Sequence, residues 1–189
     1  MKLNTTQLLD ELSRNTRTLI NEAETLLLLP DDLLQKRPGN GGWNALECIE
    51  HLNLYGEFYL PEIRKSIRES RQGNAPFYQP GWLGNYFVKT LEPGKQMKKM
   101  KTFKDKDPIE RRLDKETIER FIDQQNEMLE LLHKAKGVDL GKTKTHISIS
   151  KWLKLKLGDT FRFVVTHNRR HMAQAFACLP TTQKAKSIV

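Results

Sequence analysis

Cysteine is scarce in this chain of 189 residues, with Cys48 and Cys178 the only two. Two cysteines make no disulfide framework, and without a CxxC pair there is no redox motif to read. Long apolar runs are missing as well. Stretches such as 26–29 fall far short of the roughly 20 residues that cross a bilayer, and no basic segment with a long apolar run and a cleavage site opens the chain. The expectation is a cytoplasmic protein with no membrane partner. GxGxxG, the Walker loop, GxSxG and HExxH are all absent, which removes the sequence grounds for a dinucleotide fold, a P-loop enzyme, an α/β-hydrolase or a zincin. No internal repeat is visible either.

What is present suits a soluble globular domain. Hydrophobic residues make up 38% and charged residues 29%, and a chain of this length buries a real core without covalent staples. The formal net charge of +9 is unevenly spread: residues 1–50 carry five Lys or Arg against eight Asp or Glu, which leaves the remainder strongly basic. Six lysines fall in 95–106 and seven in 134–156. Such clusters attract nucleic acid or anionic surfaces, but solvated lysine-rich loops are the commoner cause, so nucleic acid is not the partner expected on this reading.

Four helices can be read from the spacing of apolar residues. In 4–29, Leu8, Leu12, Leu19 and Leu26 fall near a heptad spacing, widened by Leu9, Ile20, Ala23 and Leu27; Asn4 or Thr5 caps the start and Pro30 marks the end. After the turn-rich 31–42, Asn44 with Glu47 three residues later forms a capping-box-like start for a second helix. It runs to about residue 71, with Pro61 expected to kink or divide it. Asp107 and Pro108 offer a cap and a first-turn proline ahead of a third helix built on Ile118, Phe121 or Ile122, Gln125, Met128 or Leu129, and Leu132. Asp159 is a reasonable cap for a fourth helix carrying Phe163 or Val164, His167, His171, Gln174 or Ala175, and Cys178 on one stripe.

Between the second and third helices, about 72–107 is a long crossover rich in Gly, Pro and aromatics, with a short helix at 82–91. Its aromatics suit a structural cover over the bundle, with lining the mouth of a pocket as the alternative. Residues 142–159 alternate apolar and polar side chains. A lone strand there has no partner, so an extended arm lying on the bundle is expected before the fourth helix. The fold class is therefore all-α: one four-helix bundle domain over 1–189, with a C-terminal tail from about 180.

The chemistry centres on VVTHNRRHMAQA, 164–175. His167 and His171 stand at i and i+4, one above the other on a helix face, and two imidazoles so placed can grip one metal ion. A third ligand is needed. His51 is the best candidate, because it falls on the apolar side of the second helix. A bare HxxxH pair is a weak signal, and its bland reading is a pair of core or surface histidines.

The segment GGWNALECIEHL, with Trp43, Asn44, Glu47 and His51, followed much later by HNRRHMAQ, with His167, Arg170, His171 and Gln174, resembles the DinB/YfiT-like superfamily of metalloenzymes. The resemblance spans nearly the whole chain. It implies a four-helix bundle holding a divalent metal, zinc or nickel, on three histidines, and those positions are filled here by His51, His167 and His171. Such a site leaves a coordination position open. Three neutral imidazoles leave the ion its full charge, so water bound there is acidified to a pKa near 7, or a thiolate takes its place. The resemblance thus implies either a metal-dependent hydrolase or a transferase using a low-molecular-weight thiol, acting on a small molecule. The alternative is a non-catalytic metal-binding or stress-response bundle.

Helper residues are read with their plainer roles beside them. Glu47 is one turn before His51 and offers an orienting acceptor or a general base, against simple helix capping. Gln174 offers a hydrogen bond to a ligand histidine or a metal-bound water. Cys48 reads better as a buried thiol than as a ligand. Arg169 and Arg170 offer an anionic substrate an anchor, against surface salt links. His133 and His146 stay outside the site. A homodimer formed through exposed helix faces is a further expectation.

Overall fold

The computed structural model describes residues 2–39, 41–92, 102–109 and 111–180, without the side chain of Lys151. Residues 93–101 of the expected crossover, most of the first lysine cluster and the tail from 181 onward lie outside the described residues. In chain order the elements are β1 (Leu3–Asn4), α1 (Thr5–Leu27), α2 (Asp31–Leu34), α3 (Ala45–Glu69), β2 (Phe77–Tyr78), α4 (Trp82–Leu91), α5 (Glu116–Lys134), β3 (Lys144–Ile147), β4 (Ser150–Lys156) and α6 (Leu157–Cys178). Single 3-10 turns occupy Lys104–Lys106 and Ala135–Gly137.

Four long helices form the bundle. Both α1 and α3 pack against α5 and α6, which sets α1 and α3 across the bundle from each other. The caps follow local chemistry. Asn4 accepts from the Gln7 amide at 3.0 Å, and Asn44 exchanges hydrogen bonds with Glu47 in a complete capping box, each satisfying amides that a first helical turn leaves unpaired. Pro61 does not divide the helix, and α3 runs through it. The carbonyl that loses its donor belongs to Glu57, which is exposed, so water can satisfy it.

The third long helix starts later than its sequence suggests. Asp107 is occupied elsewhere, accepting from Trp43 Nε1 and from the Ile109 amide, both at 3.2 Å. Asp114 instead receives the first amides, with its side chain 3.0 Å from the Glu116 nitrogen and its carbonyl 3.1 Å from that of Thr117. Nor is the segment before α6 a lone extended arm. It doubles back at Ser148 and Ile149, so that β3 and β4 pair antiparallel, Lys144 opposite Lys156 and Thr145 opposite Leu155, with an irregularity between His146 and Ile147. The strand finds its partner within the same segment.

Asp159 does not cap a helix from outside. It sits inside the first turn of α6, almost wholly buried, and its carboxylate accepts from the Tyr78 hydroxyl and, at 2.9 Å, from the Gly81 amide. Arg162 lies 3.5 Å away. This carboxylate pins the crossover to the bundle, and Gly84 makes the close approach possible: a Cβ there would fall 2.2 Å from Asp159 Cγ.

The apolar core comes in two parts. One gathers Leu8, Leu12, Tyr59, Met128 and Phe161; the other gathers Leu19, Ile49, Leu52, Phe121 and Met172. A belt of buried polar residues lies between them in sequence on every long helix: Thr16, Asn53, Gln125, and His167 with Asn168. Such groups are tolerated in a core only when hydrogen-bonded. Asn168 donates to Gln125 at 3.0 Å and Asn53 to the Thr117 carbonyl at 2.8 Å.

Candidate metal centre

The belt ends at three imidazoles. Periodicity puts His167 and His171 one turn apart on the inward face of α6, and α3 packs beside it carrying His51. The nearest available ring nitrogens of the three lie within 4.8 Å of one another. His51 and His167 are buried and His171 is half-buried. Among the described residues no cysteine or carboxylate joins the cluster.

Hydrogen bonds decide which nitrogens face inward. His51 Nδ1 is 2.7 Å from the Lys106 carbonyl oxygen. A carbonyl only accepts, so Nδ1 carries the proton and Nε2 the lone pair. His171 Nδ1 is likewise 3.0 Å from Gln174 Oε1, which leaves its Nε2 free. His51 Nε2 and His167 Nε2 are 3.2 Å apart. Two nitrogens on one tetrahedral zinc, each about 2.05 Å from it, would be about 3.3 Å apart, so this pair fits a shared ion. The three nitrogens as a set lie within 4.8 Å of one another, looser than the about 3.3 Å of a tetrahedral pair, so the rings would draw together to share an ion.

Protonation favours the same use. Burial pushes His51 down to about 4 against the pull of the Lys106 carbonyl, and pushes His171 down to about 3. Burial, then the neighbouring His171, holds His167 well below its ordinary value. All three are neutral at physiological pH, the state in which imidazole binds a metal.

Aromatic rings hold the imidazoles in place. Trp43 lies over His51 and His171 at 4.8 and 5.9 Å between ring centroids, Tyr55 over His51 and His167 at 4.9 and 4.6 Å, and Phe163 stacks on His167 at 5.7 Å. The histidines open onto a cavity of about 930 Å³. Tyr86, Phe87 and Phe103 of the crossover line it, as does Arg170, so the crossover forms cavity wall as well as cover; Tyr78 of the same segment is buried beneath it.

The other candidates fall into place around this geometry. Glu47 is committed to Asn44 and to Arg37, and the acceptor that orients His51 is the Lys106 carbonyl instead. Gln174 contacts His171. Cys48 is fully buried; hydrogen bonding with Cys178, then burial, holds its thiol well above the usual range, as in an unreactive core thiol. Arg169 is exposed, and its charge reaches Glu22, while Arg170 is buried against the cavity. His133 lies in the last turn of α5 and His146 on β3.

Sequence reasoning missed Tyr55 and Lys106. Tyr55, one turn after His51, was available from helical spacing; the Lys106 contact is made by main chain and leaves no residue-type signal.

A family model described as the DinB superfamily matches residues 8–175, a span that takes in all three histidines and the helices that carry them. No curated protein and no solved structure matches the chain.

Proposed function

The chain belongs to the DinB superfamily, and on that premise we propose that it is a metal-dependent enzyme in which His51, His167 and His171 hold one divalent ion, zinc or nickel. Its reaction on this reading is hydrolysis, or transfer to a low-molecular-weight thiol, with a small organic substrate. The observation that carries it is the convergence of three neutral imidazoles on one point at the wall of a large cavity. A structural zinc normally takes four protein ligands; three at a cavity wall suit a site that keeps a position for a reactant.

Each neighbouring residue has a definite task in this proposal. The Lys106 carbonyl and Gln174 fix the tautomers of His51 and His171, so that Nε2 of each ring points its lone pair inward. Bound there, a divalent ion supplies Lewis-acid activation of a water or a thiol. Tyr55, whose phenol burial pushes up to about 12, stays protonated and offers a donor at the cavity wall. Arg170 places a cation on the same wall and suits a substrate or leaving group that carries negative charge. Phe87, Phe163 and Tyr59 add aromatic surface to the cavity lining, which excludes water and strengthens the polar contacts.

Elemental analysis of untagged protein reconstituted with zinc or nickel tests the assignment. Wild type is expected to hold about one equivalent of metal, and His167→Ala to lose it. Ester, amide and thiol-transfer substrates are then screened with the loaded protein. Retention of wild-type metal content in His51→Ala, His167→Ala and His171→Ala alike would overturn the site. Stoichiometric metal without turnover on any of these substrate classes would favour a non-catalytic metal-binding bundle.

A further inference from the structure

The outer face of the β3–β4 hairpin works against the hairpin's own stability. Its register sets Lys144 directly opposite Lys156 and Lys154 opposite His146, so no carboxylate meets a lysine across the ladder, and like charges at facing positions repel. Lys142, Lys144 and Lys154 are exposed. Among the described residues none of them is in an ion pair. Lys156 gives its ammonium to the Gln79 carbonyl, at 2.8 Å.

At the turn end the hairpin is apolar instead. Ile149 and Leu153 are about half exposed, and Trp152 is 93% exposed. Side chains two apart on a strand share a face, so Trp152 projects from the same side as Lys154 and Lys156. An uncompensated cationic face carrying an exposed indole, with the half-exposed Ile149 and Leu153 at the adjoining turn end, asks for a partner that is anionic on the outside and apolar just beneath.

We propose that this hairpin docks the protein on an anionic lipid surface. Trp152, Leu153 and Ile149 enter the headgroup layer, and Lys144, Lys154 and Lys156 meet lipid phosphates. Tryptophan favours this boundary because its ring is amphipathic, and lysines near an anionic leaflet add to the attraction. The aliphatic pair favours lipid over nucleic acid: a base stacks on an indole, but Leu153 and Ile149 give it nothing to stack on. The net charge of +9 has the complementary sign. This is attachment to a surface, not a span, since none of the described helices is long and apolar enough to cross a membrane. The docking needs no metal in the histidine cluster. It does bear on what reaches that cluster, because Ile147, Ser148, Ile149 and Leu155 of the same hairpin line the cavity, and its wall then stands beside the lipid.

Co-sedimentation with vesicles tests this, using phosphatidylcholine alone and phosphatidylcholine mixed with phosphatidylglycerol, at low and physiological salt. Binding is expected to the anionic vesicles only and to weaken with salt. Trp152→Ala should lower the bound fraction several-fold, and Lys144→Glu or Lys154→Glu by about fivefold or more each. These positions are exposed, so circular dichroism and metal content should match wild type. The wild-type minus Trp152→Ala emission difference should shift to the blue on binding. No sedimentation with anionic vesicles at low salt, or binding unchanged in all three variants, would overturn the proposal. Equal binding to neutral vesicles, Trp152-dependent binding to single-stranded nucleic acid in place of lipid, or a dimer that Trp152→Ala dissolves would do the same.

Discussion

His51 on α3 and His167 on α6 bring their Nε2 atoms to 3.2 Å of each other, and the His51 atom carries a lone pair because its other nitrogen donates to the Lys106 carbonyl. Without metal, His167 fills the gap with its own N–H. On the proposed reading both Nε2 lone pairs would hold one ion, with the His167 proton passing to its Nδ1 rather than to solvent.

Metal binding should therefore release few protons at pH 6. Histidines at their ordinary pKa of about 6.5 would give up about two between them at that pH. With His51 lowered to about 4, His171 to about 3 and His167 well below its ordinary value, the expected release is well under half a proton. Calorimetric titration of zinc in buffers of different ionisation enthalpy reads this number directly. A release near two would contradict the burial of these rings.

The metal-free protein should lose stability in mild acid. Each lowered histidine binds fewer protons folded than unfolded between its folded value and about 6.5. Stability therefore rises with pH through that window and is lost as pH falls below about 6.5, by up to about 1.4 kcal/mol per pH unit for each ring. The check is the urea midpoint of metal-free protein at pH 7, 6 and 5. A midpoint that does not move would mean the rings are solvated.

Gln174→Leu should weaken metal binding without abolishing it. Removing the acceptor at 3.0 Å from His171 Nδ1 frees the ring to rotate and to change tautomer, and losses of this kind run to about 10–100-fold in affinity. Competition with a chelator measures it. An unchanged affinity would leave Gln174 a polar residue at the end of the bundle.

Glu47→Gln separates capping from chemistry. The change should cost about 1 kcal/mol of stability, because it weakens the capping box and the contact with Arg37. Metal content should not change. A variant that is as stable as wild type but metal-poor would return Glu47 to the site.

Gly84→Ala should destabilise the protein by about 1–3 kcal/mol. The added methyl meets the Asp159 carboxylate, which cannot step aside while Tyr78, Gly81 and Arg162 hold it. A denaturant melt at wild-type midpoint would show that α4 yields freely.

What the sequence disclosed was local. Leu8, Leu12, Leu19 and Leu26 betray α1 because a helix face repeats within a few residues, and Asn44 with Glu47 betrays the start of α3 because a capping box spans four. His51, His167 and His171 were legible as inward-facing positions on two such faces, and the family motifs tied the two helices together. What stayed hidden depends on distant partners. Asp159 resembles a cap until Tyr78, far back along the chain, arrives to use its carboxylate. Asp107 resembles a cap until Trp43 takes it. The hairpin was missed because alternation reveals a strand but not the strand beside it.

The acceptor that sets the His51 tautomer is main chain, so no point substitution deletes it. Any residue at position 106 presents the same carbonyl, and the lysine side chain serves a separate contact, donating to the Leu54 carbonyl at 3.1 Å. What the contact does not tolerate is an insertion or deletion that shifts the path of 102–109, because the carbonyl would then miss the ring. Inheritance of this feature is thus written in the length of a loop, and a count of identical residues would overlook it.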